Sequence, residues 1–400
     1  MLVIFAASVF LVWTGVLLWF GQDLLARWRE PAFIQPIVIF ESDDWGAGPI
    51  AQEKPLRDIV AILSQHTNAF GEHPVMTLGI ILAALAGKHR ACAATEDLPL
   101  LFLTDESMSA VLDAIREGNQ RKVLSLQLHG FTHFNPAALT LAYKMNPQIA
   151  LLLNSIEQPW TEQLPGALQS AWINGSSLPS TELAESEVHL IAQREGKLWK
   201  ELFGVPPKIG VPTTFIWNEK VELAWAELGV QVLVTPGARY QSRDADGKPS
   251  GIDRKILNGQ KGPSGLDYVV RNLYFEPSLG HSIDQLIKDI TEQSRAYRPA
   301  LIEIHRFNFC GPRAHPEALE ILRTTVQRLS AVMPSARYMS TERLAEIMAD
   351  GDSTLIATSP RVRLMAMFNR AREIPRLLKI ARITGLALPL WIMQRIVAWV

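Results

Sequence analysis

Two adjacent aspartates, two histidines four residues apart and a histidine closing a late apolar run are the side chains in this sequence whose types and spacing fit joint chemistry. Asp43 and Asp44 stand in Glu41-Ser42-Asp43-Asp44-Trp45-Gly46, directly after the apolar run Pro36 to Phe40. An acidic pair before a glycine is ordinary turn chemistry when it stands alone. At the carboxyl end of a strand it lies where α/β folds place their sites. His129 and His133, in His129-Gly130-Phe131-Thr132-His133, follow the apolar run Val123 to Leu128. Two imidazoles at this spacing converge if the second sits in a first helical turn, which is metal-ligand spacing. With one carboxylate they make a shell that leaves positions for water and substrate, as hydrolytic zinc or non-haem iron sites require. His305 ends the run Ala300 to Ile304.

These residues need strands to deliver them to one rim. Short apolar runs alternate with longer helical patterns along the chain. The strands expected are Pro36 to Phe40, Val75 to Leu78, Val123 to Leu128, Lys208 to Val211, Val230 to Thr235, Tyr268 to Tyr274, Ala300 to His305 and Ala336 to Met339. Helices are expected at Leu56 to Gln65, Asp105 to Glu117, Glu182 to Phe203, Glu219 to Leu228, Ser282 to Ser294, Pro316 to Val332 and Thr341 to Met348. Seven or eight parallel strands covered by helices predict an α/β barrel or a doubly wound sheet. The long interval before Lys208 contains an inserted loop or subdomain at Asn154 to Ser180, and Gly237 to Leu266 reads as a surface excursion.

With 39 basic and 40 acidic residues in 400, the surface as a whole does not neutralise phosphates, so no nucleic-acid partner is expected. The charge is unevenly placed. Residues 361–400 hold eight Arg or Lys against the single Glu373. The cysteines, Cys92 and Cys310, are too few for a disulfide scaffold and have no C-x-x-C spacing. Residues 1–20 carry no charged side chain and have the length of an uncleaved membrane anchor. Arg27 and Arg29 after it place the body on the cytoplasmic side of the inner, or plasma, membrane. In the tail, Arg361, Arg363, Arg370, Arg372, Arg376, Lys379 and Arg382 interleave with apolar residues, a pattern that suits an anionic membrane surface. Trp13, Trp19, Trp28, Trp391 and Trp399, five of the eleven tryptophans, lie in these two ends. The expected organisation is an anchor at 1–30, a catalytic barrel at 31–350 and a basic amphipathic tail at 351–400.

On Asp43-Asp44, the H-x-x-x-H motif and the strand-ending His305, the chain resembles the polysaccharide deacetylases of the NodB-homology superfamily, similar to carbohydrate esterase family 4, over roughly Ile34 to Ala349. The resemblance implies a distorted (β/α) barrel and metal-dependent N-deacetylation of a sugar. It implies Asp43 as catalytic base, Asp44, His129 and His133 as metal ligands, and His305 as general acid. Two departures stand out. Ile209-Gly210-Val211-Pro212-Thr213 lacks the arginine that orients the catalytic aspartate in that family, and Val232-Leu233-Val234-Thr235-Pro236 lacks the family's Asp- and Trp-containing motif. Replacement partners are sought in Glu303, which shares a strand face with His305, and in Arg271 and Glu276, with Arg306 behind them.

The cofactor expected is a divalent metal ion, zinc first because it favours nitrogen ligands. The substrate expected is an N-acylated sugar on a lipid-linked glycan or glycolipid, such as a polyisoprenyl-phosphate sugar or a lipid A precursor, because both ends are membrane-seeking. Two alternatives are a glycosidase using Asp43 and Glu276 and a catalytically silent sugar-binding or scaffold protein on the same barrel.

Overall fold

The strands form because their residues are apolar on both faces. Ile37, Val38, Ile39 and Phe40 are all buried, as befits a parallel strand covered on both sides. In the computed structural model, which describes residues 2–87 and 97–399, nine strands make one parallel sheet. In chain order they are β1 (Ile37–Gly46), β2 (Met76–Ile81), β3 (Leu124–Leu128), β4 (Ile209–Gly210), β5 (Val232–Thr235), β6 (Asp267–Val270), β7 (Leu273–Tyr274), β8 (Ala300–His305) and β9 (Arg337–Tyr338). Their spatial order is β6-β5-β4-β3-β2-β1-β8-β7, with β9 also pairing β1. His89 and Cys92 lie outside the described residues, and the Cys310 thiol is buried.

The two edge strands of this order, β6 and β7, are separated in sequence only by Arg271 and Asn272. A sheet whose opposite edges are two residues apart must curl on itself. The run Tyr268 to Tyr274, expected as one strand, is thus split between both edges. The Arg271 N–H donates to the carbonyl of Thr235 on one side, and the Leu301 N–H donates to Asn272 on the other. The result is a distorted parallel barrel rather than an open doubly wound sheet.

Amphipathic helices cover it. On α3 (Glu53–Ser64), Leu56, Ile59, Val60, Ile62 and Leu63 are buried, the one-face spacing of a surface helix. Asn218 and Ser282 cap α8 (Glu219–Glu227) and α9 (Ile283–Arg295) by accepting from backbone N–H groups in the first turn. The remaining covering helices are α4 (Ser109–Gln120), α7 (Glu185–Phe203), α10 (Ala318–Val332) and α11 (Thr341–Asp350). The long interval between β3 and β4 also holds a helical hairpin, α5 (Pro136–Met145) and α6 (Pro147–Ser155), each started by an asparagine cap followed by proline.

The two chain ends assemble with each other. α1 (Leu2–Trp19) breaks at Phe20, and α2 (Gly21–Arg29) leaves at 57°. Eighteen residues reach roughly 27 Å, just short of a hydrocarbon core of about 30 Å. Phe20, buried against Ile374 and Leu377, pins the bend. Among the described residues no single helix is long and apolar enough to cross a membrane, though two bent pairs are by length and composition, α1 with α2 and α13 (Leu377–Ile383) with α14 (Ala387–Trp399).

The tail is not a separate appendage. From α12 (Pro360–Ala371), Arg370 is fully buried and donates to the carbonyls of Glu30, Pro31, Ala296 and Tyr297. Arg363 lies over the Trp28 ring and donates to its carbonyl. Of the seven tail cations expected at a lipid surface, Arg370 therefore serves the interior, because the five donors of a guanidinium can serve several carbonyls of this rim at once.

Candidate active site

All strands of the sheet run parallel, so their carboxyl ends share one rim, and the candidate residues stand there. Asp43 and Asp44 lie near the end of β1, His129 and His133 follow β3, Arg271 follows β6, Glu276 follows β7 and His305 ends β8. Consecutive residues of a regular strand point to opposite faces, so two adjacent aspartates need a break in the pleat to meet one site. β1 supplies it. Its register against β2 runs Ser42 with Leu78 and then Trp45 with Ile80, one extra residue on β1, which is a β-bulge. Asp44 sits in it with φ +75°, a left-handed conformation costing on the order of 1–3 kcal/mol. Arg306, 1% exposed, braces it by donating from Nη1 to the Asp44 carbonyl.

Asp44 Oδ1 lies 3.3 Å from His133 Nε2 and 3.5 Å from His129 Nε2. One ligand atom from each residue falls within 4.8 Å of the others, and all three residues are buried. His129 Nδ1 is 3.0 Å from the Val211 carbonyl, so it carries the proton and leaves the Nε2 lone pair toward Asp44. Asp44 Oδ1 has no hydrogen-bond partner although buried. A buried carboxylate oxygen facing two imidazole lone pairs is a donor set that a divalent cation satisfies. Burial alone raises a carboxyl pKa, but His133 beside Asp44 holds it well below the usual range. Burial pushes His133 down to about 4 against the pull of Asp44, keeping it a neutral donor.

Asp43 is not part of that shell. Arg271, 1% exposed, forks onto it with Nη1 to Oδ2 and Nη2 to Oδ1, the latter at 2.9 Å, and its Nε donates to Glu41. Burial works against ionisation of Asp43, yet the Arg271 guanidinium and His129 hold its pKa far below the ordinary value. Glu41, fully buried, also accepts from the Thr341 hydroxyl. The place left without an arginine after β4 is thus filled from another stave, the seam of the barrel.

His305 is 22% exposed and packs flat on Phe307, with ring centroids 5.3 Å apart. Its Nδ1 lies 2.6 Å from Glu276 Oε1, and Glu276 Oε2 accepts from the His305 N–H and from Asn308. Burial would lower the imidazole, but the hydrogen bond and charge of Glu276 push it up to about 10. Glu303 was the first expected partner of His305, yet its Oε1 is 3.6 Å from Nε2. Glu276 takes the orienting position because the turn after β7 brings it across from Nδ1. Arg271, Glu276 and Glu303 are all buried.

Several neighbours had no signal in the motifs. Gly79 on β2 lies under Asp43, and a Cβ there would stand 2.3 Å from Asp43 Oδ1 and 3.2 Å from the His129 Cβ. Gly130, between the histidines, has φ +104°, which an L side chain rarely adopts. Glu195 of α7 holds the same loop, accepting from the Phe131 N–H at 2.6 Å and the Trp225 indole at 2.7 Å, and burial pushes it up to about 8. Glu162, in the segment expected as an insertion, lies 3.6 Å from Arg306 Nη2, and Trp160 covers that guanidinium. The one available cue is a charged residue set directly on the end of an apolar run, as Glu41 is after Ile37 to Phe40. We expect Gly79→Ala to fold but lose most activity, since the methyl must displace the Asp43 carboxylate. Activity near wild type in a variant of unchanged thermal stability would remove Gly79 from this role.

A cavity of about 200 Å³ opens onto these groups, walled by Asp43, Asp44, His133, Glu162, Tyr274 and His305. Fold and site together define a curled parallel α/β barrel with a two-histidine, one-aspartate cluster at the strand ends. No protein-family model matches the chain, and no curated protein matches it. Solved structures similar to it include a protein from Mycobacterium smegmatis described as a polysaccharide deacetylase, 12% identical, covering 79% of this chain and 91% of that one at a TM-score of 0.39. Peptidoglycan deacetylase PdaC from Bacillus subtilis is 8% identical, with 80% and 95% covered and a TM-score of 0.38. A CE4 family pseudoenzyme from Bacillus anthracis is 10% identical, with 76% and 63% covered and a TM-score of 0.36. Likeness this distant carries no argument about activity, which rests on the residues themselves.

Proposed function

We propose that this chain is a metal-dependent amidohydrolase that removes an N-acyl group, acetyl in the simplest case, from a sugar. The observation that carries the reading is the convergence of the Asp44, His129 and His133 ligand atoms within 4.8 Å, beside an arginine-clamped Asp43 and a glutamate-held His305. Asp44, His129 and His133 would hold a divalent ion, which would supply Lewis-acid polarisation of an amide carbonyl and a more acidic water. Zinc suits the nitrogen-rich donor set. Asp43, kept ionised by Arg271, accepts the water proton. His305, kept protonated by Glu276, donates to the departing amine, which is a poor leaving group without that proton. The glycosidase alternative requires Glu276 to face a glycosidic oxygen, but that side chain is fully buried behind His305.

We place the substrate on a membrane. The support is the exposed apolar surface of α1 and α14 together with the exposed cations of the tail, and the basic flank of α2 supports our reading of a barrel on the cytoplasmic face.

Metal analysis of the purified protein, with acetate release from N-acetylated oligosaccharides, tests the hydrolase. Stoichiometric metal without turnover on any N-acyl sugar would instead favour the silent sugar-binding alternative. His305→Ala should keep its metal and lose roughly 10²- to 10⁴-fold in turnover, the usual weight of a positioned general acid. The pH profile carries a signed test. The protonated His305 is the active form, so activity falls as pH rises through its pKa, which Glu276 lifts to about 10. Glu276→Gln removes that lift, and the alkaline limb of kcat/KM should move down toward the ordinary histidine value of about 6.5. A cation at Asp44 lowers the limb in both forms alike, so the difference between them is the readout. Coincident limbs would exclude His305 as the acid.

A further inference from the structure

The membrane-seeking ends and the catalytic mouth lie at opposite rims of the barrel. The catalytic groups stand at the carboxyl ends of the strands. The ends assemble at the amino-terminal rim. Arg370 binds the carbonyls of Glu30 and Pro31 just before β1, and that of Tyr297 just before β8. Arg298 in the same turn pairs with Glu30 and with Glu373 of the tail. The Trp13 indole donates to the Thr384 carbonyl, which fastens α1 to the end of α13.

The outer surface of this assembly is apolar and cationic. Val3, Leu18, Trp19, Ile383 and Leu388 are between 62% and 83% exposed. Arg372, Arg376, Lys379, Arg382 and Arg395 are exposed around them, while the one acid of residues 361–400, Glu373, is engaged by Arg298. Bulky apolar side chains among exposed cations are complementary to an anionic bilayer.

From Ile37 to Asp43 the strand takes six residue-to-residue steps, roughly 20 Å at about 3.3 Å each. The headgroup layer of one leaflet is only about 5–8 Å deep. An N-acyl sugar joined directly to a lipid phosphate stays inside that layer and does not reach the mouth. We propose that the substrate is the outer N-acyl sugar of a multi-sugar glycan carried on a membrane lipid, presented one barrel length from the bilayer. This rests on the deacylase reading above and narrows its substrate class.

The test uses the full-length chain on vesicles of phosphatidylglycerol and phosphatidylethanolamine. Polyprenyl-phosphate lipids carry a terminal N-acetylhexosamine either directly or through neutral oligosaccharide spacers of increasing length, and the free N-acetylated oligosaccharide serves as control. A tether too short to span two sites gives an effective concentration near zero, one matched to the span gives the maximum, and longer ones decline. The rate should therefore rise with spacer length, pass a maximum and fall, the directly linked sugar being slower than the best spacer by roughly 10²-fold. Equal rates for the direct and spaced lipids would overturn the proposal. The bilayer would then lie against the mouth, where the α5–α6 hairpin exposes Leu141, Met145 and Leu151. Failure of the chain to sediment with vesicles while it hydrolyses the free oligosaccharide would also overturn it and leave the deacylase reading standing. No turnover of the free oligosaccharide would instead remove the deacylase reading.

Discussion

Asp44→Ala and His133→Ala are expected to strip most of the bound metal and with it all measurable turnover, whereas Asp43→Asn should retain metal and still be inactive. The separation follows from geometry. Asp44 Oδ1 lies within 3.5 Å of both imidazole Nε2 atoms, while the Asp43 oxygens are taken by Arg271. Losing one of three protein ligands opens the shell. Amidation of Asp43 leaves the shell intact but removes the lone-pair basicity needed to accept a proton. Elemental analysis and acetate release on the same preparations check both halves. Full metal occupancy in both ligand variants would sink the cluster as a metal site, and metal loss in Asp43→Asn would merge Asp43 into the shell.

The second large effect is at Arg271. Its guanidinium is 1% exposed and lies against Glu41 and Asp43, with Glu303 3.8 Å away. Arg271→Met leaves these buried carboxylates without their cation, and breaking a buried pair from one side costs about 3–5 kcal/mol. Denaturant unfolding should show that loss. Arg271→Lys, which keeps the charge but cannot fork onto two carboxylates, should recover part of the stability and little of the activity. The pH dependence has a definite sign. Asp43 must be ionised to act as a base, and Arg271 is the largest influence opposing the effect of burial on it. Without the guanidinium its pKa rises, so the acid limb of kcat/KM moves to higher pH in Arg271→Lys if the ammonium sits farther away. A methionine variant as stable as wild type, or a lysine variant with an unmoved acid limb, would show that Arg271 does not hold the base.

The catalytic candidates were legible because their types and their positions after apolar runs are local facts. Ala300 to His305 is a strand with the boundaries its sequence implies. His129 to His133 follow the strand β3 as expected, whereas Asp43-Asp44 lie inside β1, which runs on past Phe40 to Gly46. The partners were harder. Glu303 was the natural orienter of His305 by strand alternation, but alternation speaks only of the face, and Glu276 has the shorter approach. The α5–α6 hairpin is not legible in the same way because Pro136 and Pro147 cut an apolar stretch into helices of 10 and 9 residues, each too short for its periodicity to show.

By itself the sequence determined which atoms are available for chemistry, since side-chain type sets donor, acceptor and ligand capacity wherever the residue ends up. It also determined the strand and helix pattern, since burial on both faces or one is written as continuous or periodic apolarity. Only the tertiary structure decided how those atoms meet. A bulge in β1, visible only in the pairing with β2, turns two adjacent aspartates toward one site with separate roles. Curling of the sheet, which brings β6 and β7 to opposite edges two residues apart, delivers Arg271 to Asp43 across 228 residues of chain. The same parallel topology sets the two chain ends at one rim and the candidate catalytic groups at the other. Such contacts depend on register and closure, which are summed over the whole sheet and carried by no short stretch of residues.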